Sequence, residues 1–188
     1  SLEQLQADIR IDGTNARIDS RWTSGEQGQG TLSGQVGWAP LDVDLQLRGS
    51  ALPVNVEPYA QLQVAPDLAI TLRDNNLHVG GELAIPEGDI RVRELPASAV
   101  TVSPDVVIVG QEAAEQEAAL GITARVKLNI GDQLRLSAFG LRGRLKGQLE
   151  VQENLTANGD LQILDGEFRR LGQELKLRRA LLLFSGPI

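Results

Sequence analysis

The 188-residue chain contains no cysteine, which removes disulfides, thiolate nucleophiles and cysteine-type zinc sites together and says nothing of the redox compartment. It has one histidine and only 3% aromatic residues, so a conventional close-packed core lacks its bulkiest fillers. Positive charge is short as well. Lys and Arg number 18 against 25 Asp and Glu, for a formal net charge of -7 and a pI of about 4.8. A nucleic-acid partner is excluded for want of a concentrated basic face. The main basic cluster, Arg169, Arg170, Lys176, Arg178 and Arg179, is interrupted by Glu167 and Glu174 and reads as a solvated strand face. No stretch approaches the ~20 apolar residues of a membrane-spanning helix. The chain opens on Ser1, carries no signal-like segment and stops at "FSGPI" directly after an apolar strand; it reads as a piece of something longer.

What the sequence has in abundance is period-two alternation. Leu5, Ala7, Ile9 and Ile11 share one face, then Ala16, Ile18 and Trp22, then Leu32, Val36 and Trp38, then Leu41, Val43, Leu45 and Leu47. The pattern continues through 62–64, 68–72, 77–79, 83–85, 90–92 and 100–102, and after a polar gap through 122–130, 134–138, 145–151, 155–163 and 175–184. About a dozen strands are predicted, joined by short turns such as "DG" at 12 and 165, "NG" at 158 and "GD" at 131. Many of the 20 glycines fall among strand residues, where they suggest bulges and bends. One segment departs from the pattern. "GQEAAEQEAALG", 110–121, is built of helix formers whose alanines and single leucine offer too little area to anchor a helix, and it is expected to be a flexible loop within a single domain spanning 1–188.

Catalytic machinery is not expected. His78, in "NNLHVGG", lies on the polar side of an alternating strand without a Ser or Cys partner motif, and reads as solvent-facing. Asp42 and Asp44 share a strand face, a spacing that suits a cation, but Gln46 and Arg48 continue the same face and make it a hydrated exterior. "GQGTLSG" at 28–34 is glycine-rich yet leads into a strand pattern, with no helix N-terminus to hold a phosphate. "NLT" at Asn154 spells a glycosylation sequon of the kind that arises by chance. No enzyme activity, cofactor or metal site follows from these residues.

The remaining question is what so long a sheet does with its apolar side. Twelve strands about 4.8 Å apart extend roughly 60 Å, and sheets beyond about ten strands curl or split because twist accumulates. The sequence therefore predicts an all-β fold: a long, curled, antiparallel-type sheet forming an open trough, a half-pipe with an aliphatic interior. Alternation assigns the lining to Leu128, Ile130, Leu134, Leu136, Leu145, Leu149, Val151, Leu161, Ile163, Leu175 and Leu177. Such walls suit an acyl chain, because they offer no directional chemistry and each buried methylene contributes about 0.8 kcal/mol. Ala180, Leu181, Leu182, Leu183 and Phe184 form an uncharged strand beside the end, expected to present an open edge to a partner or to a second copy of the domain.

The residues also carry a resemblance. "VSPDVVIVG" (102–110), "GDQLRLSAFGLRGRLKGQL" (131–149) and "GDLQILDGEFRRLGQELKLRRALLLFSGPI" (159–188), with "GTLSGQVGW" and "LPVNVEPYAQLQVAPDLAI" earlier, resemble the C-terminal domain of the TamB family of the bacterial translocation and assembly module. The resemblance implies the distal periplasmic domain of a Gram-negative protein whose full-length form is anchored in the inner membrane, related in architecture to AsmA-like bridge-type lipid carriers. It implies two jobs. One is conduction of phospholipid between inner and outer membrane; the other is chaperone-like assistance to an Omp85-type barrel partner, TamA, in inserting or secreting nascent outer-membrane proteins and autotransporters. Full-length apolar lining favours phospholipid, whereas strand donation needs only an edge. A structural β-rod or adhesin is a third reading; it calls for a fixed repeat length, and none is found.

Overall fold

The computed structural model describes residues 2–92, 121–154, 156–170 and 173–187. They form eleven strands: β1 (Leu2–Asp12), β2 (Asn15–Ser24), β3 (Gly28–Trp38), β4 (Leu41–Ser50), β5 (Leu52–Val56), β6 (Ala60–Arg73), β7 (Asn76–Val92), β8 (Gly121–Ala138), β9 (Leu141–Gln152), β10 (Thr156–Arg170) and β11 (Gln173–Pro187). All belong to one sheet in the order β1-β2-β3-β4-β6-β7-β8-β9-β10-β11, with β5 paired to β6. β1 and β11 lie at opposite ends of that order, so the sheet is open and not closed into a barrel.

Local chemistry explains most of this meander. Alternating β-branched and leucine residues favour half-buried strands, and tight turns reverse them. Gly13 (φ 58°) closes β1 onto β2, and Asp74 and Asn75 take φ of 47° and 61° between β6 and β7, the left-handed pair that a two-residue hairpin turn requires. Three of the dipeptides expected to turn do not. Asn158 and Gly159 lie inside β10, opposite Glu150 and Leu149 on one side and Ser185 and Phe184 on the other. Gly131-Asp132 and Asp165-Gly166 sit at register shifts within β8 and β10. Asn158 and Gly159 are paired on both sides, whereas Gly131, Asp132 and Asp165 are passed over by the register at the shifts and their permissive backbone bends the strand. Runs expected as separate strands are thereby fused: 62–64 with 68–72 in β6, and 77–92 in β7.

Every pairing is antiparallel except that of β7 with β8, which is parallel, Asn76 opposite Gly121 and Val92 opposite Ala138. The 17 residues of β7 cover roughly 56 Å at about 3.3 Å each, so Val92 and Gly121 stand at opposite ends of the pair. A parallel pair always needs a long connection. The strand expected at 100–102 and the loop expected at 110–121 lie outside the described residues, apart from Gly121, which is the first residue of β8 and so a strand residue.

The irregularities fall on one line across the sheet. Between β4 and β5 the chain breaks at Ala51, φ 48°. Register then shifts at Gln63/Ala65 in β6, Ile85/Glu87 in β7, Ile130/Leu134 in β8 and Leu164/Glu167 in β10. Bulges bend strands and increase twist, so this line is where the sheet folds over its apolar side. Beside it lies the small core. Leu134, Leu145 and Ile163 are buried neighbours in one cross-strand row, flanked by Ile85 and Ile90 from either side of the β7 bulge and by Ile130 and Leu136 from either side of the β8 bulge. Only Ala16, Val64 and Ala157 join them as buried hydrophobics among the described residues. Two packed sheets would bury alternate residues of every strand; here the apolar face is left largely uncovered, which makes the fold a curled trough.

Candidate functional site

The apolar face is built by register. Because directly opposed residues point the same way, the pairings can be followed from strand to strand. Ile9, Ile18, Gly34, Leu45, Ile70, Val79 and Ala124 make one row from β1 to β8. Leu83, Leu128, Leu149, Gly159 and Phe184 make another, from β7 to β11. Ile85, Ile130, Gly147, Leu161 and Leu182 form a third, next to the buried row of Leu62, Gly88, Leu134, Leu145, Ile163 and Ala180. Val151 follows from Val126, and Leu175 faces Phe168, itself opposite Leu141.

All eleven residues expected to line the trough therefore share one face, but not one depth. Leu134, Leu145 and Ile163 are packed at the bend, Leu175 is 56% exposed, and the others are half-buried. The expected edge residues divide. Ala180, Leu182 and Phe184 lie on the trough face, whereas Leu181 and Leu183 stand opposite Gln162 and Asp160 on the outer face. The open edge itself is present: β11 has β10 on one side and no strand on the other among the described residues. Missing from the expected set are Leu62, Ile85, Ile90 and Leu141, which pack on the core, and the β1–β4 wall with Leu5, Ile9 and Ile11 exposed at its rim. The same alternation marks them in the sequence.

Glycine shapes the lining. A Cβ on Gly147 would lie 2.1 Å from the Asp160 carbonyl oxygen, and one on Gly159 would lie 2.2 Å from that of Gln148. Both residues have positive φ, 152° and 136°, a region that side chains avoid. Each faces a leucine, Gly147 opposite Leu161 and Gly159 opposite Leu149, so the missing side chains let β9 and β10 coil closely while the leucines project.

The outer face is polar and ion-paired. Arg135 donates two 2.8 Å hydrogen bonds to the Asp89 carboxylate, and this pairing, above all its hydrogen bonds, holds Asp89 below its ordinary pKa. Arg144 pairs with Asp165, Arg125 with Glu150, and Arg73 reaches both Asp42 and Asp44 at 3.4 and 3.5 Å. Those aspartates thus belong to a hydrated exterior, as their spacing beside Gln46 and Arg48 suggests. Arg169 is held between Glu167 and Glu174. His78 is exposed between Thr71 and Thr123. Gly28–Trp38 is strand throughout, so 28–34 forms no phosphate loop. Glu153 accepts a hydrogen bond from the Ala124 amide at 3.0 Å, which lowers its pKa. Among the described residues no group of three or more His, Asp or Glu is placed to hold a metal, and no helix is long and apolar enough to cross a membrane.

Comparison with known proteins supplies the family. A family model described as TamB C-terminal domain matches residues 17–188. A translocation and assembly module subunit TamB from Haemophilus influenzae is 28% identical over 173 residues, covering 82% of this chain and 13% of the relative. The chain thus spans about an eighth of that protein's length. No solved structure matches. On a family match over nearly its whole length, joined to an open apolar sheet, the chain belongs to the TamB C-terminal domain family.

Proposed function

We propose that this domain is a periplasmic section of an envelope-spanning protein and conducts phospholipid acyl chains along its apolar face between the inner and outer membranes. The observation that carries the reading is the row structure. Aliphatic residues follow one another at right angles to the strands, with glycines as the only gaps in the three rows from β7 to β11. A ten-strand path at about 4.8 Å per step offers roughly 43 Å of such track. An acyl chain lying on it gains about 0.8 kcal/mol per methylene removed from water, wherever along the track it lies. Affinity without positional preference is what a conduit requires. The described residues bring together no group of three or more His, Asp or Glu for metal chemistry, and the reading is of a conduit, not an enzyme.

The experiment is lipid analysis of the purified domain by mass spectrometry, with Leu149→Arg beside the native chain. Leu149 is half-buried between Leu128 and Gly159, so the arginine reaches into the trough without entering the core. Native protein should carry phospholipid and Leu149→Arg should lose most of it while keeping its β spectrum. A lipid-free native domain contradicts the reading.

The unpaired edge of β11 favours a second reading. It would let an Omp85-type barrel of the TamA kind, or a nascent outer-membrane strand, add to the sheet by main-chain hydrogen bonds.

A further inference from the structure

One apolar feature does not belong to the trough. Following the strand pairings, exposed large hydrophobics such as Leu5, Ile9, Trp38, Val54, Ile122 and Leu175 all lie on the trough face. Among the described strand residues the exceptions are Leu181 and Leu183, 54% and 76% exposed. They project from the outer face, across from Gln162 and Asp160, which pair in turn with Lys146 and Gln148. Half-buried Leu164 adjoins them through its pairing with Arg179. A strand apolar on both faces is the composition of a strand covered on both sides, yet no described residue covers its outer side.

The neighbouring charges say what covers it. Lys176, Arg178 and Arg179 precede the leucines on the same strand, all are exposed, and none has an ion pair among the described residues. On a chain of net charge -7 this is a local excess of cations: Asp160, opposite Leu183, and Glu167, opposite Lys176 and already paired with Arg169, are the acidic residues that face the same stretch. Two leucines supply far less than the roughly 800 Å² per partner of a standard protein interface, so a second copy is poorly served by them. A bilayer surface is well served: leucines insert between acyl chains while adjacent cations meet anionic headgroups. We propose that the outer face of β11 is a membrane-contact site that seats Leu181 and Leu183 in an anionic bilayer surface, held by Lys176, Arg178 and Arg179. The site would bring the open end of the trough, with Leu182 and Phe184 on its inner face, against the membrane. It is independent of what the trough carries.

The test is flotation of the 188-residue chain with phosphatidylcholine vesicles, plain or with about one third phosphatidylglycerol. The native chain should float with the anionic vesicles, weakly with the plain ones, and less as salt rises. Leu181→Asn with Leu183→Asn should reduce anionic-vesicle binding at least tenfold, and Arg178→Gln with Arg179→Gln should abolish the preference for phosphatidylglycerol. Leu5→Asn with Ile9→Asn, on the trough face at the far edge, should leave flotation unchanged. All these side chains are exposed, and circular dichroism checks that each variant keeps its sheet. No flotation of the native chain, equal flotation after the Leu181 and Leu183 changes, or equal loss from the Leu5 and Ile9 changes overturns the proposal. Leu149→Arg, which empties the trough in the lipid analysis, should float normally, so failure of the conduit reading and failure of this one are told apart.

Discussion

Leu134 and Ile9 are aliphatic residues on the same face of the same sheet, yet Leu134 is 1% exposed and Ile9 60%. Alternation in the sequence reports the face a residue occupies; it does not report the depth, which is set at the bulge line, where Ile85, Ile90, Ile130 and Leu136 pack around the row of Leu134, Leu145 and Ile163. Substitutions should separate the two quantities. Leu134→Ala removes packed methylenes and leaves a cavity, for an expected loss of roughly 2–5 kcal/mol, whereas Ile9→Ala should stay within about 0.5 kcal/mol; urea denaturation of both variants measures the contrast. Ile163→Arg, at a position 4% exposed, buries an unpaired charge and should unfold the domain, while Leu149→Arg should fold. Charge is a residue-scale matter too. Asp89 and Glu153 have folded pKa values below their ordinary ones, so near and below pH about 4 the unfolded chain binds protons that the folded chain refuses. Their contribution is complete above the ordinary carboxylate range and is lost as pH falls through the folded values. The urea midpoint should therefore be level from neutral pH to about 5 and drop below about 4, and Asp89→Asn should shrink that drop.

Strands were legible because their signal is local, and their interruptions were ambiguous for the same reason. "DG" at 12 is a turn and "DG" at 165 is a bulge with Asp165 at φ 51°; the dipeptide supplies the same permissive backbone, and only strands on both sides decide its use. The parallel pairing of β7 with β8 was likewise illegible, since it depends on partners distant in sequence. Two elements make checkable claims. If Gly147 coils β9 against β10, then Gly147→Ala, with its positive φ and a carbonyl in the way, should cost about 1–3 kcal/mol, read as a fall in thermal midpoint without loss of β content. If the β11 edge recruits other strands, the isolated domain should self-associate with rising concentration by light scattering. Leu182→Pro removes one backbone donor and Leu182→Lys adds an edge charge; both should weaken the association. A native domain that stays monomeric at high concentration means that this edge is already protected.

At the scale of the molecule, an apolar face that a compact domain would cover is left open among the described residues. Composition foreshadowed it, because a chain with 3% aromatic residues and 20 glycines has little with which to fill the space above a curled sheet, and the chain that builds it belongs to the TamB C-terminal domain family. The conduit reading meets its sharpest test when a photo-crosslinking residue is placed singly at Leu5, Leu128, Leu149 and Leu182 on the trough face and at Thr31, Gln35 and Lys127 on the outer face away from β11, in bacteria, and the adducts are identified by mass spectrometry. Phospholipid adducts are expected at all four trough positions, from β1 to β11, and none at the three outer ones. Adducts absent from the trough, or equally frequent on the two faces, would contradict the conduit reading.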